Sequence, residues 1–90
     1  MTSFQEWFDE LHEQGRHPST LQIAQWFTFD HLPGHLRPFS EACWHLAVAV
    51  IRDLPDGPEL TNGLRKLLEA KDSFVRQATT GVVLEGGGAG

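Results

Sequence analysis

Four of the chain's seven cationic side chains lie in one stretch near its carboxyl end, "LRKLLEAKDSFVR". They are Arg65, Lys66, Lys71 and Arg76. The chain as a whole is acidic, with 12 Asp and Glu and a net charge of −5. Ammonium and guanidinium groups form charge-assisted hydrogen bonds with phosphate oxygens. The stretch therefore predicts a site for a small anion, whereas the net charge argues against binding long nucleic acids.

Lys71 interrupts an apolar helical stripe. At 100° per residue, it lies among side chains that fall within about 80° of one direction. These are Leu67, Leu68, Phe74, Val75 and Ala78, with Leu64 beside them. Lys71 either snorkels its ammonium to the rim of this seam, or presents a cation to a partly enclosed pocket that would hold an anion strongly.

The neighbouring flank of the same helix carries Arg65, Glu69, Asp72 and Arg76, while Lys66 points away from it. One interpretation is a solvated face stabilised by the pairs Arg65–Glu69 and Asp72–Arg76. The other is that some of these side chains contact a ligand. The residues alone leave both open.

An aromatic segment, "WFTFDHLP", precedes the longest apolar helix pattern. Phe27, Phe29 and His31 in this segment either cover a small core or provide stacking surfaces for planar bases. Stacking of a base on an aromatic ring is worth about 1–3 kcal/mol.

The histidines and cysteine do not form a recognisable catalytic or metal-binding pattern. His31 and His35 are separated by Pro33 and Gly34, so they do not share a helical face. Neither HExxH, a Walker loop nor GxGxxG occurs. We therefore expect no metal and no cofactor, and a metal-dependent hydrolase would need a set of ligands that these residues do not supply.

Helix-start signals predict an all-α fold. Ser3 with Glu6 reads as a capping box for a helix over about 4–14, and Ser19 with Gln22 repeats it for a helix over about 20–27. A long helix is expected to begin near residues 36–39, with Pro38 in its first turn, and to run to Leu54.

A Pro-Asp-Gly-Pro turn then leads into the last helix. Asp56 with Glu59 reads as a third capping box, and the helix is predicted over Pro58–Thr79. The short connection makes the last two helices an antiparallel αα-hairpin. We therefore divide the chain into an N-terminal helical extension with its aromatic loop (1–33), the hairpin core (34–80) and a disordered Gly-rich tail (81–90).

The apolar surface predicted for the hairpin is larger than one partner helix can cover. A chain of 90 residues also has a thin core of its own. These features predict a compact homo-oligomeric helical bundle, held by Phe39, Leu46, Val50, Leu64, Leu67 and Phe74.

Cysteine usage and hydropathy predict a cytoplasmic protein. Cys43 is the only cysteine, which fits a reducing compartment. No charged-then-apolar leader and no run of eighteen apolar residues is present, so we expect neither secretion nor membrane insertion.

The order of these motifs resembles a family of small helical phage proteins, the anti-CBASS sponges, over about residues 27–78. The family pattern is an aromatic segment, a long helix, a Pro-containing turn and a last helix with a "KLxEA" core. Here these elements read "FTFDHLP" (27–33), "LPDG" (54–57) and "KLLEA" (66–70).

The resemblance implies a homo-oligomer, typically a hexamer, that acts in the infected bacterium. Such proteins sequester cyclic di- or trinucleotide second messengers between subunits without cleaving them, and so block host CBASS defence. The implied ligand-binding residues are Phe27, Phe29, His31, His45, Arg65, Lys66, Glu69, Lys71 and Arg76. His45 enters because the family's basic residue in the long helix aligns near it. Tyr is absent from the chain, so the family's phenol hydrogen bond is absent too.

A second hypothesis belongs to another class. The chain could be a structural or adaptor helical oligomer whose aromatic N-terminal helices recruit a protein partner. The cationic side chains would then lie in solvent on the protein surface and bind no ligand.

Overall fold

The computed structural model describes residues 3–29 and 31–85, with side chains described as far as residue 80. The fold is all-α, as predicted. The described residues form four α-helices and one short 3₁₀ helix, with no strand among them. The helices are α1 (Phe4–Glu13), α2 (Pro18–Ala24), the 3₁₀ helix (Gln25–Phe27), α3 (Arg37–Asp53) and α4 (Pro58–Glu85).

Helix α1 begins as its capping pattern predicts. The Ser3 hydroxyl accepts a hydrogen bond from the Glu6 N–H at 3.2 Å and donates one to the Glu6 carboxylate at 3.1 Å. After the helix, Gly15 adopts a φ of +71°, a left-handed conformation that glycine reaches without a steric cost. Trp7 and Leu11 are buried on the inner face of α1.

The predicted start of α2 was wrong. His17 caps the helix instead of Ser19, because its Nδ1 accepts a hydrogen bond from the Ser19 N–H at 3.1 Å. Pro18 occupies the first turn, where its missing N–H costs little. The helix therefore starts two residues earlier than about residue 20. It gives way to the 3₁₀ turn before Thr28.

Helices α3 and α4 form the predicted hairpin, joined by residues 54–57. The bounds of α3 agree with the prediction to within a residue or two, and Pro38 lies in its first turn. The predicted end of α4 was wrong, since the helix continues from Thr79 to Glu85. A single Gly81 costs a helix only about 1 kcal/mol, too little to end it. The tail was predicted from residue 81, and its last part, 86–90, lies outside the described residues.

One hydrophobic core joins the N-terminal helices to the hairpin. Trp44 of α3 lies at its centre, 6.0 Å from the Trp7 ring in an edge-on contact and 5.3 Å from the tilted Phe29 ring. Aromatic pairs at such distances contribute beyond their buried area. The segment predicted as an N-terminal extension therefore packs on the same core as the hairpin.

The Asp56 carboxylate ties the α1–α2 linker to the hairpin turn. It accepts hydrogen bonds from Arg16 Nε at 2.9 Å, the His17 N–H at 3.0 Å and Thr20 Oγ1 at 2.7 Å. The predicted role of Asp56 as a cap paired with Glu59 was therefore wrong. These bonds, that to the His17 N–H first, lower the pKa of Asp56 below its ordinary value.

Arg16 completes this connection from its other side. Its Nη1 donates to the Ile51 carbonyl at 2.6 Å and its Nη2 to the Leu54 carbonyl at 3.0 Å. The last carbonyls of a helix have no partner within the helix. Arg16 therefore satisfies the end of α3 while it binds Asp56, and we call this set of contacts the Arg16–Asp56 clasp.

Among the helices of residues 3–29 and 31–85, none is both long and apolar enough to cross a bilayer.

A cationic cavity as the candidate ligand site

Lys71 lies in the apolar seam of α4, as predicted, and is only 7% exposed. Its Nζ donates a hydrogen bond to the Trp26 carbonyl at 2.7 Å. The same atom lies 6.0 Å from the centroid of the Phe27 ring, within the range of a cation–π contact. The 3₁₀ helix therefore holds the ammonium close to the protein interior instead of letting it reach bulk solvent.

A cavity of about 230 Å³ opens beside this ammonium, and we call it the Lys71 cavity. Three elements form its walls: the loop before α3, the first turn of α3, and the second half of α4. Its lining residues are His31, Leu32, Ser40, Lys71, Asp72, Val75 and Arg76. Of the predicted ligand-binding residues, His31, Lys71 and Arg76 are thus brought together.

Ser40 contributes an unsatisfied hydroxyl to this cavity. The residue is fully buried, and its Oγ has no hydrogen-bond partner within the part of the chain that the structure describes. A buried polar group without a partner costs about 1–3 kcal/mol. An acceptor atom entering the cavity would relieve this cost.

The electrostatics of the cavity favour an anion of low charge. Burial lowers the pKa of Lys71 from its ordinary value, while Asp72 and, more weakly, Cys43 act in the opposite direction. An anion beside the ammonium would compensate for the lost hydration. With Lys71 and Arg76 at +1 each, Asp72 at −1 and His31 neutral, the lining carries a formal charge of +1.

Cys43 lies on the core side of Lys71. Burial raises the pKa of its thiol, and the nearby ammonium partly opposes this. The residue is buried and unpaired. It behaves as a small apolar core residue.

Arg76 is positioned by its own helix. Its Nη2 donates to the Ser73 hydroxyl at 3.2 Å, one turn earlier. Neither of the predicted ion pairs on this flank, Arg65–Glu69 and Asp72–Arg76, is formed among the described residues. All four side chains of this flank are exposed, so the face is solvated as one interpretation predicted, but without the ion pairs expected on it.

The predicted aromatic platforms are mostly enclosed. Phe27 is 0% exposed, so it supports the Lys71 ammonium and cannot offer a face to a base as predicted. Phe29 is half-buried against Trp44. Asp30 of the same motif lies outside the described residues.

The other predicted ligand residues lie away from the Lys71 cavity. His45 lines a different cleft, between α1 and α3, and its Nε2 is 3.6 Å from the Glu41 carboxylate. Arg65 lines a shallow cleft beside Trp26. Lys66 and Glu69 are exposed and belong to neither cleft.

Sequence reasoning missed Ser40. A signal was present, because Ser40 shares a helical face with Trp44, Ala47 and Ile51, all of which are buried. A serine on such a face is either bonded to its own helix or serves another partner.

Within the described residues, no group of three or more His, Cys, Asp or Glu side chains is arranged to hold a metal ion. The fold and cavity together define an all-α protein with a small cationic cavity. Comparisons with protein-family models, curated proteins and solved structures found no significant match to the chain.

Proposed function

We propose that this protein binds cyclic di- or trinucleotides through the Lys71 cavity and sequesters them without cleavage. The observation that carries the proposal is that three residues line one small cavity: the buried Lys71, Arg76, and Ser40 with its unsatisfied hydroxyl. All three donate hydrogen bonds, and phosphate oxygens only accept them.

The charge of the cavity favours a phosphodiester over a phosphomonoester. A phosphodiester carries one negative charge and matches the formal +1 of the lining. A phosphomonoester carries about −1.5 to −2 at neutral pH. Asp72 would repel the second negative charge of a phosphomonoester. Cyclic oligonucleotides contain only phosphodiesters.

The size of the cavity favours a ligand shared with another surface. Pockets that enclose a whole small molecule measure about 300–1,000 Å³, and the Lys71 cavity measures about 230 Å³. We infer that it takes one phosphodiester with part of its nucleoside. The remainder would lie on the protein surface or against a second subunit.

An exposed apolar groove between α3 and α4 supports homo-oligomerisation. Leu46 is 51% exposed and Leu54 48% exposed on its α3 side. Phe74, which is 54% exposed, lies beyond the groove on the same face of α4. Gly63 lines the same groove, and a Cβ added there would meet nothing within 4 Å. Glycine inside a helix is costly, so its presence favours the close approach of a second helix.

Leu64 does not belong in the predicted interface between subunits. Leu64 is 1% exposed and forms the floor of this groove. It therefore stabilises the protomer itself, while Phe39, Leu46 and Phe74 remain available to a second copy. Light scattering should show an oligomer at micromolar concentration, and a stable folded monomer would contradict this part of the proposal.

If the resemblance to anti-CBASS sponges holds, the ligand is an immune second messenger and the protein protects a phage in the bacterial cytoplasm. The second candidate function is a protein adaptor, favoured by the same groove and by Trp26, which is 57% exposed. An adaptor would use the apolar surfaces and would need no anion in the Lys71 cavity.

Ligand binding by two matched variants tests the proposal. Lys71→Met keeps the length of the side chain and removes the buried charge, whereas Lys66→Met removes an exposed cation that does not line the cavity. The wild type would be titrated with cyclic mono-, di- and trinucleotides by calorimetry. Lys71→Met should weaken binding by about 1.5–3 kcal/mol, the value of one charged hydrogen bond, and Lys66→Met should bind as the wild type does.

The fate of the ligand completes the experiment. Heating the complex and recovering the nucleotide intact is the result expected of a sequestering protein, and linearised product would instead indicate an enzyme. Absence of binding by the wild type to every cyclic nucleotide would refute the proposal. Equal affinity in both variants would refute the assignment to Lys71.

A further inference from the structure

A second cavity lies between α1 and α3, where the proposed nucleotide function assigns nothing. Its volume is about 390 Å³, within the range of small-molecule sites. We call it the α1–α3 cleft. Its lining residues are Trp7, Glu10, Leu11, Gln14, Arg16, Trp44, His45, Val48 and Arg52.

The inner surface of this cleft is apolar and aromatic. Trp7 and Leu11 face it from α1, and Trp44 and Val48 face it from α3. The two indole rings meet edge to face, with centroids 6.0 Å apart and an interplanar angle of 80°. A flat apolar group inserted here would contact two rings already fixed by the core.

The cations at the rim of the cleft are already compensated. Arg16 is held by Asp56 and by two carbonyls at the end of α3. Arg52 donates to both carboxylate oxygens of Asp53, at 2.9 and 3.3 Å. Arg16 is therefore fully engaged by the fold, and the charge of Arg52 is balanced by that of Asp53.

Glu10 is the rim charge that remains uncompensated. Its carboxylate and the Gln14 amide make no side-chain hydrogen bond or ion pair within the described residues. His45, on the opposite rim, has only the 3.6 Å contact with Glu41. The free charge at this cleft is thus negative, the opposite of the Lys71 cavity.

From this geometry we propose that the α1–α3 cleft binds a small amphipathic cation. Its aromatic or apolar body lies against Trp7 and Trp44, and its protonated amine lies beside Glu10. Trp7 and Trp44 are only 6% and 5% exposed, so they offer the ligand body an apolar wall, and the Glu10 carboxylate supplies the charged hydrogen bond to the amine. This site does not depend on the proposed nucleotide function.

Three probes with the same ring and different charges test the proposal. They are 2-phenylethylammonium, the neutral 2-phenylethanol and the anionic phenylacetate, titrated at pH 7 and followed through the indole N–H resonances by NMR. We expect the ammonium to bind tightest and the anion weakest. The ammonium should shift the signals of Trp7 and Trp44, while the 57% exposed Trp26, outside the cleft, serves as the internal control.

Two matched variants locate the charge. Glu10→Gln should weaken binding of the ammonium about three- to fivefold, the scale of a solvent-exposed ion pair, and leave the alcohol unchanged. Glu13→Gln alters the same helix outside the cleft and should change neither. Failure of the ammonium to bind at millimolar concentration, equal binding of phenylacetate, shifts confined to Trp26, or wild-type affinity in Glu10→Gln would each overturn the proposal.

Discussion

The Arg16–Asp56 clasp provides the sharpest test of how the N-terminal helices are attached to the hairpin. Asp56→Asn keeps the shape of the side chain but removes the charge that three donors share. Those donors are Arg16, the His17 N–H and the Thr20 hydroxyl, at 2.7–3.0 Å. The clasp joins segments about 40 residues apart in sequence, so its loss should lower the stability of the whole fold.

The expected magnitude follows from the number of bonds and their exposure. A hydrogen bond to a charged group contributes about 1.5–3 kcal/mol, and the Asp56 side chain is 29% exposed, which weakens each bond through solvent screening. An amide oxygen can retain part of the interaction. We expect Asp56→Asn to lower the free energy of unfolding by about 2 kcal/mol. For a domain of this size, that lowers Tm by about 8–16 °C.

The pH dependence has a defined sign. Because the folded protein lowers the pKa of Asp56 below its ordinary value of 3.8, the carboxylate stabilises the fold above that value. This contribution is lost as the pH falls through the lower folded pKa. The difference in Tm between wild type and Asp56→Asn should therefore be full at pH 7 and should shrink below about pH 4.

Thermal unfolding followed by circular dichroism measures this effect. The control is Asp53→Asn, which removes a carboxylate that is 64% exposed and paired only with its neighbour Arg52, and which should change Tm little. A double-mutant cycle with Arg16→Met isolates the coupling. Additive effects of Arg16→Met and Asp56→Asn, or an Asp56→Asn variant as stable as Asp53→Asn, would refute the role given to the clasp.

Two further predictions concern the N-terminal helix and the groove. Deleting residues 1–15 should lower Tm and leave the hairpin helical, because Trp7 packs on Trp44 of α3; an unchanged Tm would mean that the segment contributes nothing to the core. Phe74→Glu places a charge on the face of α4 that carries Gly63 and Leu67 of the groove, at a position that is 54% exposed. Light scattering should then show a smaller assembly with the same helical content, and an unchanged mass would exclude the groove as the interface.

Helices were predictable from sequence where their ends are set locally. The starts of α1 and α3 were predicted correctly, because Ser3 and Pro38 act only on the first turn of their own helices. The errors arose where another interaction competed for the same residue. His17 caps α2 where Ser19 was predicted to do so, and Asp56 binds the distant Arg16 instead of capping α4.

The candidate site was predictable only in part, for a similar reason. Lys71 was identifiable because it breaks the apolar period of its own helix. His31 and Arg76 were also among the predicted residues, whereas Ser40 was missed, because a helical wheel cannot show which surface a neighbouring segment covers. Phe27 was misjudged for the same reason: it was predicted to contact a ligand, but its ring is fully buried beneath the Lys71 ammonium.

The position of the groove relative to the cations constrains any assembly. At 100° per residue, the groove residues Gly63 and Leu67, with Phe74 beyond them on the same face, point nearly opposite to Asp72 and Arg76, at about 180° around α4. A second copy docked in the groove would therefore leave open the side of the Lys71 cavity formed by Asp72 and Arg76, while Lys71 itself lies about 60° from the groove direction.

If a neighbouring subunit completes the nucleotide site, it must use a different surface. A self-complementary contact through the groove closes as a dimer. A hexamer would then need a second contact on the cationic side of α4, where Arg76 lies. On this argument Phe74→Glu and Lys71→Met act on separate properties. The first should reduce the mass of the assembly and preserve the phosphodiester contact, and the second should abolish that contact without changing the mass.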